Sequence, residues 1–190
     1  MTMTMTTEKL NLIWKEYKSK EEIVSFYTDN TNDRYCCFSN FWRHKPFIFR
    51  IPCGILKDKE VDIHFSEKAI MLCKASLMED CDTFDKILKS KTPMESKRLG
   101  RSITPWNEEL WKKNVCKIAK NIIICKFSNV KGLKEILLET GNKLIVEAAY
   151  RDRIWGIGMC KDNPSIYYPS RWRGSNILGW ALMEARNELK

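Results

Sequence analysis

Residues 66–78, Ser-Glu-Lys-Ala-Ile-Met-Leu-Cys-Lys-Ala-Ser-Leu-Met, restrict the fold more than any other part of the chain. The spacing predicts a helix on which Ile70, Met71, Leu72, Cys73, Ala75, Leu77 and Met78 point in nearly every direction. A helix that is apolar almost all round has to be enclosed by other elements, so most of it is expected to be buried. Its charged residues then need an explanation. Glu67 and Lys74 lie seven positions apart, which at about 100° per residue puts them on one face, with roughly 10 Å of rise between their backbones. An unpaired buried charge is too costly to keep, so each is paired, faces a groove or meets a ligand.

The remaining elements have to enclose that helix. Between Ile23 and His64 the segments IVSFYTD, RYCCFSNFW, KPFIFRIPCG and KEVDIHF have strand-like composition and are separated by turn residues, which predicts a small sheet or several short extended pieces. Ser66 is placed to cap the buried helix, Thr83–Ser90 suits a short helix, and Pro93 after Thr92 starts another that stops near Gly100. From Trp106 to Phe127 the apolar residues Trp111, Val115, Ile118, Ile122 and Cys125 recur at steps of three and four, opposite Lys113, Lys117 and Lys120. Leu133–Glu139 continues helically up to Gly141, LIVEAA (144–149) suits a buried strand, and Ile177–Leu189 is amphipathic with Asn176 placed as its cap. The fold class is therefore α+β: one compact, mainly helical domain over 21–190 with a small β-sheet, preceded by a flexible tail over 1–20.

Charge and cysteine usage narrow the function classes. The chain carries 33 Lys and Arg against 24 Asp and Glu, a net +9 that would draw phosphate-bearing ligands or nucleic acid, although a Lys-rich solvated surface explains it equally well. The eight cysteines are scattered, without a Cys-x-x-Cys pair, and are expected to be reduced. His44 and His64 lack metal-motif spacing, so no metal and no cofactor is expected. No apolar run approaches a membrane span, and the first residues do not form a secretory signal. These features predict a soluble cytoplasmic protein, with the nucleus a second compartment, and imply no membrane contact and no obligate protein partner.

A second group of candidate residues follows the predicted strand, in AAYRDRIWGIGM. There Asp152 and Trp155 sit on a loop delivered by a rigid element, Gly156 and Gly158 permit close approach to backbone, and Trp155 offers a flat face to a base. The same residues fit a core-capping Trp in a tight turn. Ser39 and Asn40 between Phe38 and Phe41, and Arg171 and Arg173 around Trp172, could hold a phosphate or a base, or be ordinary loops.

The order of these segments resembles the NADAR (YbiA-like) family of N-glycosidases. The resemblance runs from about Phe26 to Leu189 and rests on Phe26-Tyr27, CFSNF (37–41), Ser66-Glu67 with Lys74, Pro93 through Gly100-Arg101, Trp106, Lys126-Phe127, LLETG (137–141), the stretch 144–158, and Asn176 through Gly179 with Leu182-Met183 and Arg186. It implies the α+β fold and hydrolysis of an N-glycosidic bond to ribose. Members act on phosphoribosylamino-pyrimidine intermediates of riboflavin biosynthesis or remove ADP-ribose from modified guanine. The family's Glu, Lys and Asp fall on Glu67, Lys74 and Asp152 as candidate catalytic residues. The candidate substrate-binding residues are Phe38, Ser39, Asn40, Trp106, Trp155, Gly156 and Asn176. The chain departs from the family pattern at Lys68, where His is usual, at Asn142, where Asp is common, and at Ala149, where Ser is common.

The chemistry suits these residue types. Breaking a ribosyl C–N bond builds positive charge on the sugar, which a carboxylate stabilises while a second group activates water or protonates the departing base. Glu67 and Asp152 can divide these roles, and a neutral Lys74 could instead attack the ring-opened sugar aldehyde to form a Schiff base. The implied partner is a ribosylated small molecule or ADP-ribosylated guanine in a nucleoside or nucleic acid. The alternative is a non-catalytic module that binds ADP-ribose or nucleic acid.

Overall fold

The enclosed helix is the centre of the molecule. In the computed structural model, which describes residues 4–28 and 32–190, it spans Ser66–Leu77 as α2 and ten of its twelve residues are buried. Three helices surround it: α3 (Cys81–Lys89), α4 (Pro93–Gly100) and α5 (Glu108–Asn129). The last two helices are α6 (Leu133–Leu138) and α7 (Ile177–Glu188), and α7 lies against α5. Start signals are read from side chains: Asp80, Thr92 and Asn107 accept the N–H groups of Thr83, Glu95 and Leu110, and Pro93 occupies the first turn of α4. The fold is α+β and mainly helical.

The β part differs from a single sheet. β1 (Ile23–Phe26) pairs in parallel with β4 (Leu144–Glu147), and β2 (Phe47–Arg50) pairs antiparallel with β3 (Glu60–Ile63). RYCCFSNFW is not a strand: Cys36–Phe38 is a single 3-10 turn, because Phe38 must turn inward to an aromatic cluster with Phe26 and Phe127. The predicted segment IVSFYTD ends at Asp29, which lies outside the described residues. β4 explains its own apolar run. Ile145 enters the main core, while Leu144 and Val146 face a smaller cluster with Ile157, Met159 and Ile166.

Two expected caps do other work. Ser66 is the first helical residue of α2, with Phe65 at the cap position and no side-chain cap bond. Asn176 sits before α7 in the left-handed region (φ 51°), which Asn tolerates better than most residues. Its side chain serves the strand instead: Oδ1 accepts the N–H of Glu147 (3.1 Å) and Nδ2 donates to the carbonyl of Ile145 (3.0 Å). One amide thus satisfies the edge of β4 that has no strand neighbour.

The expected flexible tail is the clearest correction. Residues Thr7–Glu16 form helix α1, with Leu10 and Trp14, four positions apart, buried on one stripe. The Trp14 indole donates to the carbonyl of Ser175 (2.7 Å), and its ring lies 5.1 Å from that of Trp172. Two buried apolar side chains and two long-range hydrogen bonds, the second from the Thr7 hydroxyl to the Lys112 carbonyl (3.5 Å), hold the segment, and Thr and Lys neighbours hide that short stripe from a composition reading. Residues 1–3 of the expected tail lie outside the described residues.

Replacing Trp14 by Ala is expected to cost about 3–5 kcal/mol of unfolding free energy, the usual range for emptying a buried aromatic site. Urea denaturation followed by circular dichroism measures it. A loss below about 1 kcal/mol would mean that α1 is not docked.

Candidate active site

Helix geometry brings the first wall together. Glu67, Met71 and Lys74 stand at steps of four and three along α2, so they share one face. α4 adds Lys97 and Gly100, the residue that caps its end adds Arg101, and α5 adds Trp111. The loop after β4 forms the other side with Tyr150 to Trp155, and the open cleft between them measures about 690 Å³.

That loop is held by its own backbone. Asp152 Oδ1 accepts the N–H groups of Ile154 (3.0 Å) and Trp155 (2.8 Å), which leaves Oδ2 to the pocket. The loop then returns to the strand it left, Ile157 N–H donating to the carbonyl of Glu147 (3.0 Å). Gly156 permits this return, since a Cβ there would stand 2.7 Å from that same carbonyl oxygen.

Electrostatics in the cavity favour proton transfer. Burial pushes the Glu67 carboxyl up to about 7; Lys97, Lys74 and Arg101 oppose the shift, and the Asp152 carboxylate adds to it. The Lys74 ammonium is held below its ordinary value, chiefly by burial. Its Nζ donates to the carbonyl of Gly100 (2.7 Å) and lies 4.3 Å from the Trp106 ring centroid, with no carboxylate at ion-pair distance among the described residues. A desolvated amine held by a carbonyl and an indole face, rather than by an acid, is easier to deprotonate.

A second chamber of about 440 Å³ adjoins the first and shares Lys97, Arg101, Arg151 and Asp152 with it. Ser39 and Glu147 lie on its wall. Burial pushes the Glu147 carboxyl up to about 8, and the Asp152 and Glu67 carboxylates add to the shift. Its Oε2 is buried without a hydrogen-bond partner.

The residues expected from the sequence divide into three groups. Glu67, Lys74, Asp152 and Trp155 line one cavity, and Ser39 lines the second. Trp106 stands at the margin, 43% exposed, with its indole N–H on Glu108 (3.0 Å) and its face over Lys74. The others support these groups from behind. Phe38 is fully buried among aromatics, Asn40 uses its backbone carbonyl to accept the Glu67 N–H (2.9 Å), Gly156 packs on β4, and Asn176 braces the edge of β4. Phe38, Gly156 and Asn176 line neither cavity; each is engaged in packing or at the strand edge.

Sequence reasoning missed Lys97, Arg101, Arg151, Trp111 and Glu147. Trp111 was hidden in an apolar stripe that reads as core, and it does both jobs, being 7% exposed and on the cavity wall. Lys97 on α4 with Arg101 four positions later at its C-terminal cap, and the lone acid in LIVEAA, were the available signals.

Together these features define an α+β protein whose pocket sets two carboxyls and an amine among indoles and cations, which suits acid–base work on a ligand with a flat ring and anionic groups. Residues 25–190 match the NADAR domain, and the chain belongs to that family. It is 38% identical over 123 residues to N-glycosidase R617 of Acanthamoeba polyphaga mimivirus, covering 65% of this chain and 72% of that protein. It is 35% identical over 160 residues to Protein irg-1 of Caenorhabditis elegans, covering 81% and 76%. The NMR structure of the E. coli protein YbiA superposes with a TM-score of 0.65 at 24% identity, over 91% of this chain and 88% of that one, a likeness of fold.

The Glu67 shift links pH to stability. The carboxyl keeps its proton up to about pH 7 in the folded chain and releases it near 4.5 on unfolding. Its contribution is therefore full below 4.5 and is lost as pH rises through 7. Relative to wild type, Glu67→Gln should gain on the order of 1–3 kcal/mol between pH 4.5 and 7. Thermal melts of both proteins across that range test it, and a constant difference would rule out a buried, proton-retaining Glu67.

Proposed function

We propose that the chain hydrolyses the N-glycosidic bond between a base-like group and a phosphate-bearing ribose, either ribose phosphate or ADP-ribose. The observation that carries this reading is that Glu67 and Asp152 line one cavity from opposite walls, beside Lys97, Arg101 and Arg151. Cations of that kind hold phosphate oxygens, and the indoles of Trp111 and Trp155 suit the flat part of the ligand.

The two carboxyls divide the work by environment. Glu67, half-protonated near neutral pH, donates its proton to the departing nitrogen. Asp152, fixed by two backbone N–H groups, stabilises the positive charge on the anomeric carbon and takes the proton of the attacking water. One water is consumed, its hydroxyl ends on the sugar, and its proton restores the acid through solvent.

A second route is favoured by the setting of Lys74. A neutral amine without an acid partner can add to C1 of the ring-opened riboside, where C1 is doubly bonded to the base nitrogen, and expel the protonated base as the C–N bond breaks, giving a Schiff base that a later water hydrolyses to the free sugar and the amine. Borohydride added during turnover reduces that intermediate and fixes the sugar's mass on Lys74. Absence of any adduct at full activity leaves direct hydrolysis.

Glu67→Gln, Asp152→Asn and Lys74→Ala are each expected to lower turnover by about 100-fold or more in folded protein. Wild-type turnover in any of them removes that residue from the mechanism. With Glu67 as the acid, kcat/KM falls as pH climbs past about 7. A rate that instead rises over that range points to the Lys74 amine as the rate-controlling group. Mass spectrometry of the base released from ADP-ribosyl-guanosine and from a phosphoribosylamino-pyrimidine, offered together, identifies the substrate.

A further inference from the structure

A basic cleft lies apart from the active site and takes no part in the chemistry proposed above. It measures about 420 Å³ and shares no lining residue with the two chambers. Three stretches distant in sequence converge on it: Arg43 ahead of β2, Lys68 on α2, and Lys89 and Lys91 where α3 gives way to α4. No acidic residue stands on its wall. Among the described residues, none of the four cations has a carboxylate at ion-pair distance. Glu95 and Asp62 act on Lys68 from outside the cleft, and one Glu95 oxygen is taken by the Lys91 N–H (2.9 Å). Like charges gathered in one concavity repel one another, and such a cleft concentrates an anion.

The buried member of the group is Lys68. It is 6% exposed, and its Nζ donates to the carbonyl of Leu88 (2.9 Å) at the end of α3, which leaves two N–H groups to spend. A cation held this far from water favours an anion beside it. The Arg43 guanidinium and the Lys68 ammonium each stand 6.0 Å from the Phe65 ring centroid, so one buried side chain sets the position of both. The His44 N–H donates to the His64 carbonyl (2.9 Å), which ties the Arg43 stretch to the residue after β3.

We propose that this cleft binds a chain of condensed phosphates, as in a diphosphate or triphosphate, and that Arg43, Lys68, Lys89 and Lys91 hold its oxygens. Volume argues against a single small ion, since about 420 Å³ is the size of a small-ligand site. The aromatic walls argue against a nucleobase as the part recognised. Phe65 has two cations around its ring, and His44 is stacked on Phe47 (5.2 Å between centroids) with its Nδ1 against the Lys45 carbonyl (2.8 Å). Burial lowers the His44 imidazole to about 4, so it adds no charge near neutral pH. An inorganic polyphosphate and the phosphate tail of a nucleotide share the chemistry that such a set of donors reads. The inference does not rest on the N-glycosidase reading, and neither requires the other.

Titrations of the full chain followed by amide chemical shifts, in about 0.1 M salt where surface charges are screened beyond roughly 10 Å, compare tripolyphosphate, orthophosphate, metal-free ATP and a thymidine dodecanucleotide. Tripolyphosphate is expected to shift Arg43, Lys68, Lys89 and Lys91, and to bind there about tenfold tighter than orthophosphate, with ATP within about threefold of it. The double substitution Arg43→Ala with Lys91→Ala, at two exposed positions, weakens that binding about tenfold or more, while Lys97→Ala in the active cleft leaves it unchanged. Lys68→Met, which keeps the length of the side chain and removes its charge, has the same effect; if that variant does not fold, the exposed pair decides alone. Shifts confined to the active cleft, equal binding of orthophosphate and tripolyphosphate, or undiminished binding in the double variant each overturns the proposal. ATP binding about tenfold tighter than tripolyphosphate overturns it in favour of a site that reads the base. The oligonucleotide binding tighter than both, with the same residues shifting, overturns it in favour of a nucleic-acid strand.

Discussion

Everything in this molecule depends on the enclosure of α2. A twelve-residue helix buried at ten positions has to be wrapped, and α3, α4 and α5 do so while the β2–β3 hairpin and the loop 36–42 cover its start. Burial on that scale holds the helix in place, and it also sets the chemistry of Glu67 and Lys74. Glu67 stands in the first turn, where its backbone N–H is held by Asn40, and about two turns further on Lys74 is held by Gly100. Their displaced proton affinities and their fixed positions have one cause, since the packing that excludes water from the core excludes it from them.

The same economy extends beneath the loop that fixes Glu67. Lys126 on α5 is fully buried, donates to the backbone carbonyl of Ser39 (3.0 Å) and lies 5.5 Å from the ring of Trp42. Burial lowers its ammonium to about 7, so a position that would be costly for a permanent cation is occupied by one that can give up its charge. Through it α5 supports residues 39 and 40, and through Asn40 those residues support Glu67.

How much of this could be read from the chain depended on whether a signal was local. The α2 pattern is periodic and self-contained, so both its burial and the pairing of Glu67 with Lys74 on one face were legible in thirteen residues. The helices from Pro93 and from Trp106 were legible for the same reason, with ends displaced by one or two residues. What was not legible depends on contacts between distant parts. Nothing near Asn176 distinguishes a helix cap from a residue that braces the edge of a strand some thirty positions earlier. Leu10 and Trp14 carry too little apolar area to announce a docked helix until the carbonyl of Ser175 is seen beneath them. Glu147 is a related case: within LIVEAA it looks like the polar end of a strand, and only the fold brings Glu67 and Asp152 near enough to raise its proton affinity.

That separation between local and distant signals explains why motif residues and pocket residues overlap only in part. A catalytic loop has to be held to a fraction of an ångström, and the groups that hold it are as restricted in identity as the groups that react. The loop 148–156 leaves β4 and returns to it, and β4 is tied by β1 on one edge and by the Asn176 amide on the other. Gly179 lets α7 approach that strand, since a Cβ there would stand 2.1 Å from the Ile145 carbonyl oxygen. Asp152 and Trp155 therefore lie on a loop anchored to an element satisfied on both sides, and the opposing wall is the helix buried at ten of its twelve positions. A pocket held between two such elements is preorganised before any ligand arrives, so binding energy need not be spent on ordering it.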